Sequence, residues 1–462
     1  MLGFFWLVLG CSRLGWAQSG PEPGPGVLYS VSRWEIQNVC RDLVRRDGQL
    51  ENQFKTMQLP DITRGSGILL PLLSITNLKI LSIRFLEIAV KLQPPLGVRL
   101  VVHLRLNING NCLLNLVSGL VDISVDLRVD VRVRLGDVSA GSILFVSDGC
   151  DPLIAAVGVN LLSGILPIQA RILISNNIRE TLPILACPVL NDALIRTNSQ
   201  MFGPANSLAS LGTAGTIQYI LAQQPQMTGQ TLSLRLNVSV RRLGGALVSF
   251  PVTSIPPTLP GLQGKAFSMG ICQDFLSAAL SVLINFPPQT FACAQQKFPA
   301  CGQLKNTISA LAPSACSSCP AASPLTLRIS LSGSVSVLLE EGEASVKLCV
   351  VIQMFTRKTD GSLFTLLVLK ANLNLRARFT ISGSKLMIAV TLESSSLLLV
   401  SSSIGNIPVL DLVPPINKLL ADVLVPKIDG CLDAGIPLPG ILGIKLVGLD
   451  LRILQGMVLV TV

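Results

Sequence analysis

The residues of this chain that could do chemistry are a cluster of cysteines, a single histidine and a short acidic run. Cys293, Cys301, Cys316 and Cys319 lie close together, and Cys316-Ser-Ser-Cys319 has the C-x-x-C spacing of a redox pair or of half a zinc site. In an oxidising compartment, the same spacing is more often that of structural disulfides in an irregular loop. We therefore predict disulfides in this cluster and no metal site.

No catalytic group can be assembled from the remaining candidates. His103 is the only histidine and shares the polar side of an alternating segment with Arg105 and Asn107, which is typical of an exposed strand residue. The acidic run Glu340-Glu341-Gly342-Glu343 is typical of a solvated turn between strands. Nucleophile-elbow, phosphate-loop and H-E-x-x-H motifs are missing from the sequence. We predict no catalytic residues, no cofactor and no enzymatic activity.

The composition indicates a large apolar core and argues against a nucleic-acid interface. Hydrophobic residues make up 49% of the chain and charged residues 13%, and the mean hydropathy is +0.60. The net charge of +10 is carried by scattered basic residues, with only three Trp and two Tyr in the chain. Because a nucleic-acid platform interleaves basic and stacking residues, we predict no nucleic-acid partner.

The N-terminus has the pattern of a secretory signal peptide. Leu2 to Leu9 form an apolar core, and Gly15-Trp16-Ala17 supplies a small-x-small cleavage site. We predict removal of residues 1–17 and secretion to the extracellular space. Since no Lys or Arg precedes the apolar core, retention inside the secretory pathway stays an alternative. In a secreted chain, the sequon Asn237-Val-Ser239 predicts N-glycosylation, on an exposed strand edge.

The segment Pro152–Ala170 contains nineteen residues without a charge, which is long enough for a membrane span. Asn160, Gly164, Pro167 and Gln169 interrupt it, however, and the core of a water-soluble protein needs such segments too. We therefore predict a buried element here, and no transmembrane segment in the mature chain.

The strongest strand signal runs from Leu120 to Leu135, where apolar and polar residues alternate throughout. Side chains alternate across a strand, so one side of it would be dry and the other would carry charges of both signs. The same alternation recurs at Leu366–Ile381. Strands of this length belong to large twisted antiparallel sheets whose dry side must be covered.

Amphipathic helices flank both long strands and could supply this cover. The first begins with the capping box of Ser32 and Glu35 and ends at Gly48. Helical spacing of apolar residues predicts three further helices, at Asn177–Ala193, Gln273–Leu283 and Leu412–Cys431. The order helix, long sheet, helix thus occurs twice, which indicates an internal duplication. A disulfide between Cys150 and Cys187 would tie the second helix to the sheet and contribute about 2–4 kcal/mol.

Six short motifs occur along the chain, and their order is more specific to one family than any single motif is. They are Met57-Gln-Leu-Pro-Asp61, Asp148-Gly-Cys150, Leu185-Ala-Cys-Pro-Val189, Ser401-Ser-Ser-Ile-Gly-Asn406, Leu424-Val-Pro-Lys427 and Gly435-Ile-Pro-Leu-Pro439. Because its motifs follow this order, the chain resembles members of the BPI/LBP/PLUNC superfamily. The resemblance is strongest to the long PLUNC members, the BPI fold-containing family B. The resemblance covers essentially the whole mature chain.

The resemblance implies an α+β fold: two pseudo-symmetric twisted antiparallel β-barrels with packed helices, joined by a central β-sheet into a boomerang. Together with the Pro-rich stretch at 250–261, it divides the chain into an N-terminal barrel domain at 18–215, a central-sheet strand and connector at 216–260, and a C-terminal barrel domain at 261–462. It also implies the Cys150–Cys187 disulfide and an apolar pocket in each domain that holds acyl chains.

We predict that apolar residues of the long strands and flanking helices contact the lipid. They are Ile36, Leu43, Ile123, Val125, Leu127, Leu182, Leu185, Val189, Leu373 and Leu375. The predicted function is that of a secreted, non-enzymatic protein that sequesters or carries lipids or other small amphiphiles in mucosal innate defence.

Two alternative functions are a carrier of hydrophobic odorants and a protein that recognises lipopolysaccharide or bacterial surfaces. The basic balance, with Arg41, Arg45 and Arg46 as one group, motivates the second. The turns that correspond to the basic tip of the lipopolysaccharide-binding members hold only Lys55, Arg64 and Arg105 as cations. Charge-assisted binding of lipopolysaccharide is therefore predicted to be weak.

Overall fold

The computed structural model describes residues 25–462 except 47, 65–72, 116, 136–144, 163, 203–207, 249–257, 294–297, 312–322, 442 and 445–447. The predicted signal peptide, most of the Pro-rich connector and the pair Cys316/Cys319 lie outside the described residues.

The first part of the chain builds a five-stranded antiparallel sheet, preceded by one further strand and accompanied by three helices. The elements are β1 (Pro25–Ser32), α1 (Arg33–Arg46), α2 (Gln49–Thr56), β2 (Ile62–Arg64), β3 (Leu73–Gln93), β4 (Gly97–Leu114), β5 (Val117–Leu135), β6 (Phe145–Leu161) and α3 (Ile168–Phe202). The sheet order is β2-β3-β4-β5-β6, so neighbours in the chain are neighbours in the sheet. Such a meander is the arrangement that the alternating segments predict.

Strand β5 contains the predicted strand Leu120–Leu135, and its two sides differ as predicted. Every second side chain from Val121 to Val133 is at most 4% exposed. The outer side carries cross-strand ion pairs, of Arg99 with Asp130 and of Arg105 with Asp126. The hydrogen bonds from the two guanidinium groups lower the pKa of both carboxyl groups. The alternating charges therefore partly neutralise one another on the outer side of the sheet.

The helices lie over the inner side of this sheet, although α3 begins earlier than predicted. In α1, the backbone N–H of Glu35 donates to Ser32 Oγ at 3.1 Å, so the predicted capping residue is in place. Helix α3 starts at Ile168, nine residues before the predicted start at Asn177. The reason is that Ala170 and Ile174 extend the buried row of the helix by two further turns, with 4% and 0% exposure.

The uncharged segment Pro152–Ala170 forms the second half of β6, a connection and the first turn of α3. The prediction that it is buried is wrong for much of its length, since Leu153, Leu162, Ile165 and Ile168 are 62–88% exposed. Within the described part of the chain, no helix combines the length and hydropathy needed to cross a bilayer.

The rest of the chain repeats the order of the first part, in which a strand and helices precede a sheet of long strands and a helical stretch follows it. Its elements are β7 (Leu208–Ser210), β8 (Gly215–Leu221), β9 (Gln226–Met227), β10 (Thr231–Arg242), β11 (Phe267–Cys272), α4 (Gln273–Leu283), β12 (Gln289–Cys293), α5 (Pro299–Leu311), β13 (Leu325–Glu340), β14 (Glu343–Arg357), β15 (Leu363–Ser382), β16 (Lys385–Ser402), a 3₁₀ turn (Val409–Leu412), α6 (Val413–Leu419), a π segment (Leu420–Leu424), α7 (Val425–Leu432), β17 (Ile436–Pro437), β18 (Asp450–Leu454) and β19 (Met457–Thr461).

This part confirms four predictions from the sequence. Strand β15 contains the predicted strand Leu366–Ile381, and α4 has the predicted bounds. The predicted helix Leu412–Cys431 is a nearly continuous helical stretch interrupted by the π segment. The acidic run at 340–343 is the turn between β13 and β14, with Gly342 at a φ of 79°.

A central sheet joins the two halves, in the order β18-β19-β11-β1-β10-β8-β7, with β9 beside β10. The order is symmetric about the β1–β11 pair, because β10 and β19 flank it, followed by β8 and β18. The first helix after each central strand also makes the same contact. Gln37 Oε1 accepts a hydrogen bond from Val90 N–H at 3.2 Å, and Ser277 Oγ accepts one from Val337 N–H at 2.9 Å. The predicted duplication and the α+β fold are confirmed.

The position of Asn237 corrects one expectation. Strand β10 lies between β1 and β8, where Asn237 is opposite Pro25 and Ile220, so the sequon is not on a strand edge. Its side chain is half-buried on the outer side of the sheet. Glycosylation of Asn237 stays a prediction, and so does the division of the chain at 215 and 260.

The chain's two tyrosines fasten the motif Gly435-Ile-Pro-Leu-Pro439 to the central sheet. The Tyr29 hydroxyl donates to Pro439 O at 2.7 Å, and the Tyr219 hydroxyl donates to Pro437 O at 2.5 Å. Both side chains are buried, and this burial raises the pKa of both phenols well above the ordinary value. Each hydroxyl therefore stays protonated and remains a donor.

Candidate functional site

An apolar cavity of about 70 Å³ lies between the three N-terminal helices and strands β3, β4 and β5. The helices contribute Ile36, Cys40, Leu50, Leu190, Ala193 and Leu194 to its lining. The strands contribute Ile88, Val90, Val98, Leu100, Val102, Val131 and Val133.

Local periodicity explains why these side chains point into one space. Ile36 and Cys40 are four residues apart on α1, and Leu190 and Leu194 are four apart on α3, so each pair shares a helix side. Val131 and Val133 continue the inner side of β5. The cavity is thus a gap between helices and sheet, walled by the dry sides of both.

The side chains that line the cavity are almost all hydrocarbon and can make only apolar contacts with a ligand. Among its side chains, only the Cys40 thiol carries a heteroatom. Burial raises the pKa of this thiol to about 12, so it stays protonated and is a poor nucleophile. A lining of this kind stabilises an alkyl group through burial, by about 0.8 kcal/mol for each CH₂, and offers no acid, base or metal ligand.

The structure places the predicted lipid-contact residues in three kinds of position. Ile36 lines the cavity, whereas the Leu43 side chain lies outside the described residues. The others do not line this cavity; on the sheets they are Ile123, Val125, Leu127, Leu373 and Leu375, and on α3 they are Leu182, Leu185 and Val189. The five sheet residues are at most 2% exposed in the core. Lipid contact by all ten residues stays a prediction.

Sequence reasoning found the right side of β5 but missed the position of the free space along it. The cavity lies at Val131 and Val133, further along the same side than Ile123, Val125 and Leu127. Alternation shows which side of a strand is dry, but it does not show where the covering helices leave a gap. The signal that was available is the α1 stripe, since Ile36 and Cys40 both line the cavity.

The described residues contain two disulfides, and one of them lies beside the cavity. Cys150 and Cys187 are bonded, with an S–S distance of 2.02 Å and Cα atoms 6.0 Å apart, and they join β6 to α3 just before Leu190. This confirms the predicted pair. Cys293 and Cys301 form a second disulfide, which joins β12 to α5 and confirms the interpretation of that half of the cysteine cluster.

His103 lies on the outer side of the N-terminal sheet, opposite Glu87 on β3 and Arg128 on β5. It is half-buried and stands on the opposite side of the sheet from the cavity, as the alternation predicts. In the described residues, no group of three or more His, Cys, Asp and Glu side chains is placed to hold a metal ion.

Comparisons with known proteins agree with this architecture. The family model for the LBP / BPI / CETP family, N-terminal domain, matches residues 42–197, and the model for its C-terminal domain matches residues 209–462. The crystal structure of lipopolysaccharide binding protein superposes with a TM-score of 0.62 at 17% sequence identity, covering 95% of this chain and 98% of that one. The fold is therefore that of lipopolysaccharide binding protein.

The chain belongs to the LBP / BPI / CETP family. Among its relatives are members of the BPI fold-containing family B. Member 4 from Homo sapiens is 30% identical over 403 residues, which is 86% of this chain and 65% of that protein. Member 3 from Mus musculus is 27% identical over 390 residues, which is 84% of this chain and 81% of that protein. The chain thus spans slightly less than two thirds of the human member 4 that it matches.

Proposed function

We propose that this protein is a secreted, non-enzymatic lipid-binding protein that sequesters or carries amphiphilic ligands in mucosal innate defence. The observation that carries the proposal is the cavity between α1, α2, α3 and the N-terminal sheet, whose lining is apolar apart from one protonated thiol. An alkyl chain would be stabilised there by burial alone, while the polar end of the ligand stays in water.

The size of the cavity determines how a ligand would enter. At about 70 Å³ it is smaller than the roughly 300–1,000 Å³ of pockets that enclose drug-sized ligands. An acyl chain would therefore have to displace lining side chains, and we expect Leu50 on the short helix α2 to move first. The Cys150–Cys187 disulfide holds α3 against β6, so we expect α3 to stay in place while α1 and α2 move.

Native mass spectrometry of gently purified protein, followed by titration with a fluorescent fatty acid, tests the proposal. Ala193→Phe places a large side chain in the cavity, and we expect it to weaken fatty acid binding by about tenfold or more, since the volume for the alkyl chain is lost. Ala155→Phe, at an exposed position on β6, is the matched control and should bind as the unchanged protein does. A protein that carries no lipid and rejects the fluorescent fatty acid would contradict the proposal.

The two alternative functions are addressed by the same preparation. A hydrophobic odorant would occupy the same cavity, so competition between odorants and the fluorescent fatty acid compares the two ligand classes. Recognition of lipopolysaccharide receives little support from the charges. Lys55 is paired with Glu51 at 2.7 Å and Arg105 with Asp126 at 2.5 Å, and the Arg64 side chain lies outside the described residues. The side chains of Arg45 and Arg46 lie outside them as well.

A further inference from the structure

A groove of about 730 Å³, which we call the strand-edge groove, lies in the C-terminal half of the molecule. Three segments border it: residues 376–380 of β15, residues 451–454 of β18, and residues 341–344 at the turn between β13 and β14. It shares no lining residue with the apolar cavity. Its volume lies within the roughly 300–1,000 Å³ of pockets that hold drug-sized ligands.

The strand-edge groove runs along the edges of two strands. Side chains alternate across a strand, so a groove on one side of a sheet would touch every second residue. This groove touches every residue from 376 to 380 and every residue from 451 to 454. It therefore lies against the edges of β15 and β18, where the backbone is accessible, rather than against a side of either sheet.

The edge of β18 presents backbone groups to the groove. Strand β18 is the outermost strand of the central sheet and pairs with β19 on one side. Leu454 pairs with Met457 across a two-residue turn, and residues that flank such a turn bond to each other. Leu451 and Ile453 then direct their N–H and C=O groups away from β19. Gly342 N–H donates to Ile453 O at 3.0 Å from that outer side, which agrees with this orientation.

Strand β15 supplies a second edge to the same groove. Its pairing with β14 ends at Arg376, whereas its pairing with β16 continues to Ser382. Ser382 pairs with Lys385 across a two-residue turn, so Phe379 directs its N–H and C=O groups away from β16. In the described part of the chain, residues 377–382 therefore have a neighbouring strand on one side only.

Unpaired strand edges are templates for a further strand, and extended peptides bind to them through main-chain hydrogen bonds. Within the described residues, no backbone group bonds to the N–H or C=O of Leu451 from the outer side, or to those of Phe379. An extended segment in the groove would meet these donors and acceptors on two walls. The backbone of the groove thus suits a peptide strand.

Acidic side chains at the turn between β13 and β14 indicate which peptide would bind. Glu341 and Glu343 line the groove, and both are exposed. Among the described residues, neither carboxylate belongs to an ion pair. Both are therefore available to a cationic group of a ligand.

The arginines of the groove are largely neutralised by neighbouring carboxylates. Arg376 is paired with Glu393 at 2.7 Å. Arg452 is paired with Asp450 at 3.0 Å. Only the guanidinium of Arg378 is then left to balance the two carboxylates at the turn, so the lining favours a cationic ligand over an anionic one.

A second copy of this chain fits the groove less well than a cationic peptide does. In a two-fold contact through β18, each copy would bring its own Glu341 and Glu343 to the contact. Like charges that meet in this way disfavour association.

We propose that the strand-edge groove binds an extended cationic segment of another protein as an added β-strand. The main chain of the segment bonds to the edges of β18 and β15, and its Lys or Arg side chains pair with Glu341 and Glu343. The proposal goes beyond the proposed function, because the groove lies in the other half of the chain and needs no lipid in the apolar cavity.

Fluorescence anisotropy of the full chain with a labelled peptide amide, Lys-Val-Thr-Val-Lys-Val-Thr, tests the proposal at low salt. We expect binding, and we expect the same peptide with Glu in place of Lys to bind at least about tenfold more weakly. Two N-methylated forms of the Lys peptide each block the donors along one of its edges. At least one form should bind about tenfold more weakly, since main-chain bonds are lost.

Variants of the acidic turn test the charge contribution. Glu341→Gln/Glu343→Gln should weaken binding of the Lys peptide about fivefold or more, because both carboxylates are removed. The matched control is Glu180→Gln/Asp192→Asn, which removes two exposed carboxylates from α3 and should leave binding unchanged.

A proline on the edge of β18 tests the backbone contribution. Leu451→Pro removes an N–H that does not bond to β19, and edge strands tolerate proline at such positions. We expect binding of the Lys peptide to fall about tenfold. The control is Leu208→Pro on β7, at the opposite edge of the central sheet. Leu211 N–H donates to Gly215 O, so the alternation directs the N–H of Leu208 away from β8 as well.

Five results would overturn the proposal: no binding of the Lys peptide, equal binding of the Glu peptide, full binding of both N-methylated forms, equal weakening by Leu208→Pro, or a dimer in gel filtration that only Leu451→Pro dissolves. If Leu451→Pro does not fold, the N-methylated peptides test the same main-chain bonds on the unchanged protein. Ala193→Phe should leave peptide binding unchanged, so failure of this proposal is distinguishable from failure of the proposed function.

Discussion

The two tyrosines of the central sheet permit a sharp test of what holds the C-terminal segment in place. Tyr29→Phe keeps the aromatic ring, whose centroid is 5.6 Å from that of Phe267, and removes only the hydroxyl that donates to Pro439 O. A buried carbonyl that loses its donor costs about 1–3 kcal/mol. We expect the free energy of unfolding to fall by that amount. Tyr219→Phe removes the bond to Pro437 O and should have a similar effect.

The double variant distinguishes this explanation from a general effect of the sheet. Pro437 and Pro439 are two residues apart in one segment, so loss of the first bond already loosens the acceptor of the second. We expect the combined loss to be smaller than the sum of the single losses, because contacting sites are coupled. Cleavage by a protease near residues 436–441 should be slowest in the unchanged protein, faster in each single variant and fastest in the double variant.

Urea unfolding followed by circular dichroism measures the stabilities, and limited proteolysis measures the release of the segment. Ser233→Ala is a suitable control on the same sheet, since its hydroxyl makes only a 3.4 Å contact with Ser30 Oγ. Single variants with unchanged urea midpoints and unchanged proteolysis would refute the reasoning. Strictly additive losses would show that the two bonds act independently and that the segment is held elsewhere.

Two further predictions concern the N-terminal sheet. Replacing both Cys150 and Cys187 by Ser should lower the free energy of unfolding by about 2–4 kcal/mol, because the closed loop no longer restricts the unfolded chain, and an unchanged melting temperature would contradict this. The pKa values of Asp126 and Asp130 are lowered in the folded protein, so their ion pairs stabilise the sheet above the unfolded value of about 4 and this stabilisation is lost as the pH falls below it. Melting temperatures from neutral pH to pH 3 should fall less steeply for Asp126→Asn/Asp130→Asn, and identical slopes would disprove the assignment.

The fold was largely predictable because its strongest signals are local. The alternation from Val121 to Val133 needs only the two-residue repeat of a strand, and the same repeat located β15. The Ser32 cap of α1 and the bounds of α4 likewise depend on residues within a few positions of one another. The order of motifs, rather than any one of them, led to the family.

The early start of α3 and the place of β10 were not predictable in the same way. Asn177 and Glu180 have the sequence of a helix start, but the buried row continues back through Ile174 and Ala170, so packing on the sheet extends the helix. Asn237 lies on β10, whose alternation of apolar and polar residues is the same for an edge strand and for an interior strand. Only the pairing of β10 with both β1 and β8 shows that it is interior.

The sequence by itself determined which sides of the strands and helices are apolar, and the tertiary structure decided what each apolar side meets. Ile123 and Val133 are equivalent in the pattern, yet Ile123 is packed in the core and Val133 borders a cavity. Ile165 lies in the uncharged segment before α3 and Ile174 lies in α3 itself, nine residues later. Ile165 is 88% exposed, whereas Ile174 is fully buried. The physical reason is that burial, free space and exposure depend on how elements distant in the chain pack against one another. Residue periodicity is set within each element alone.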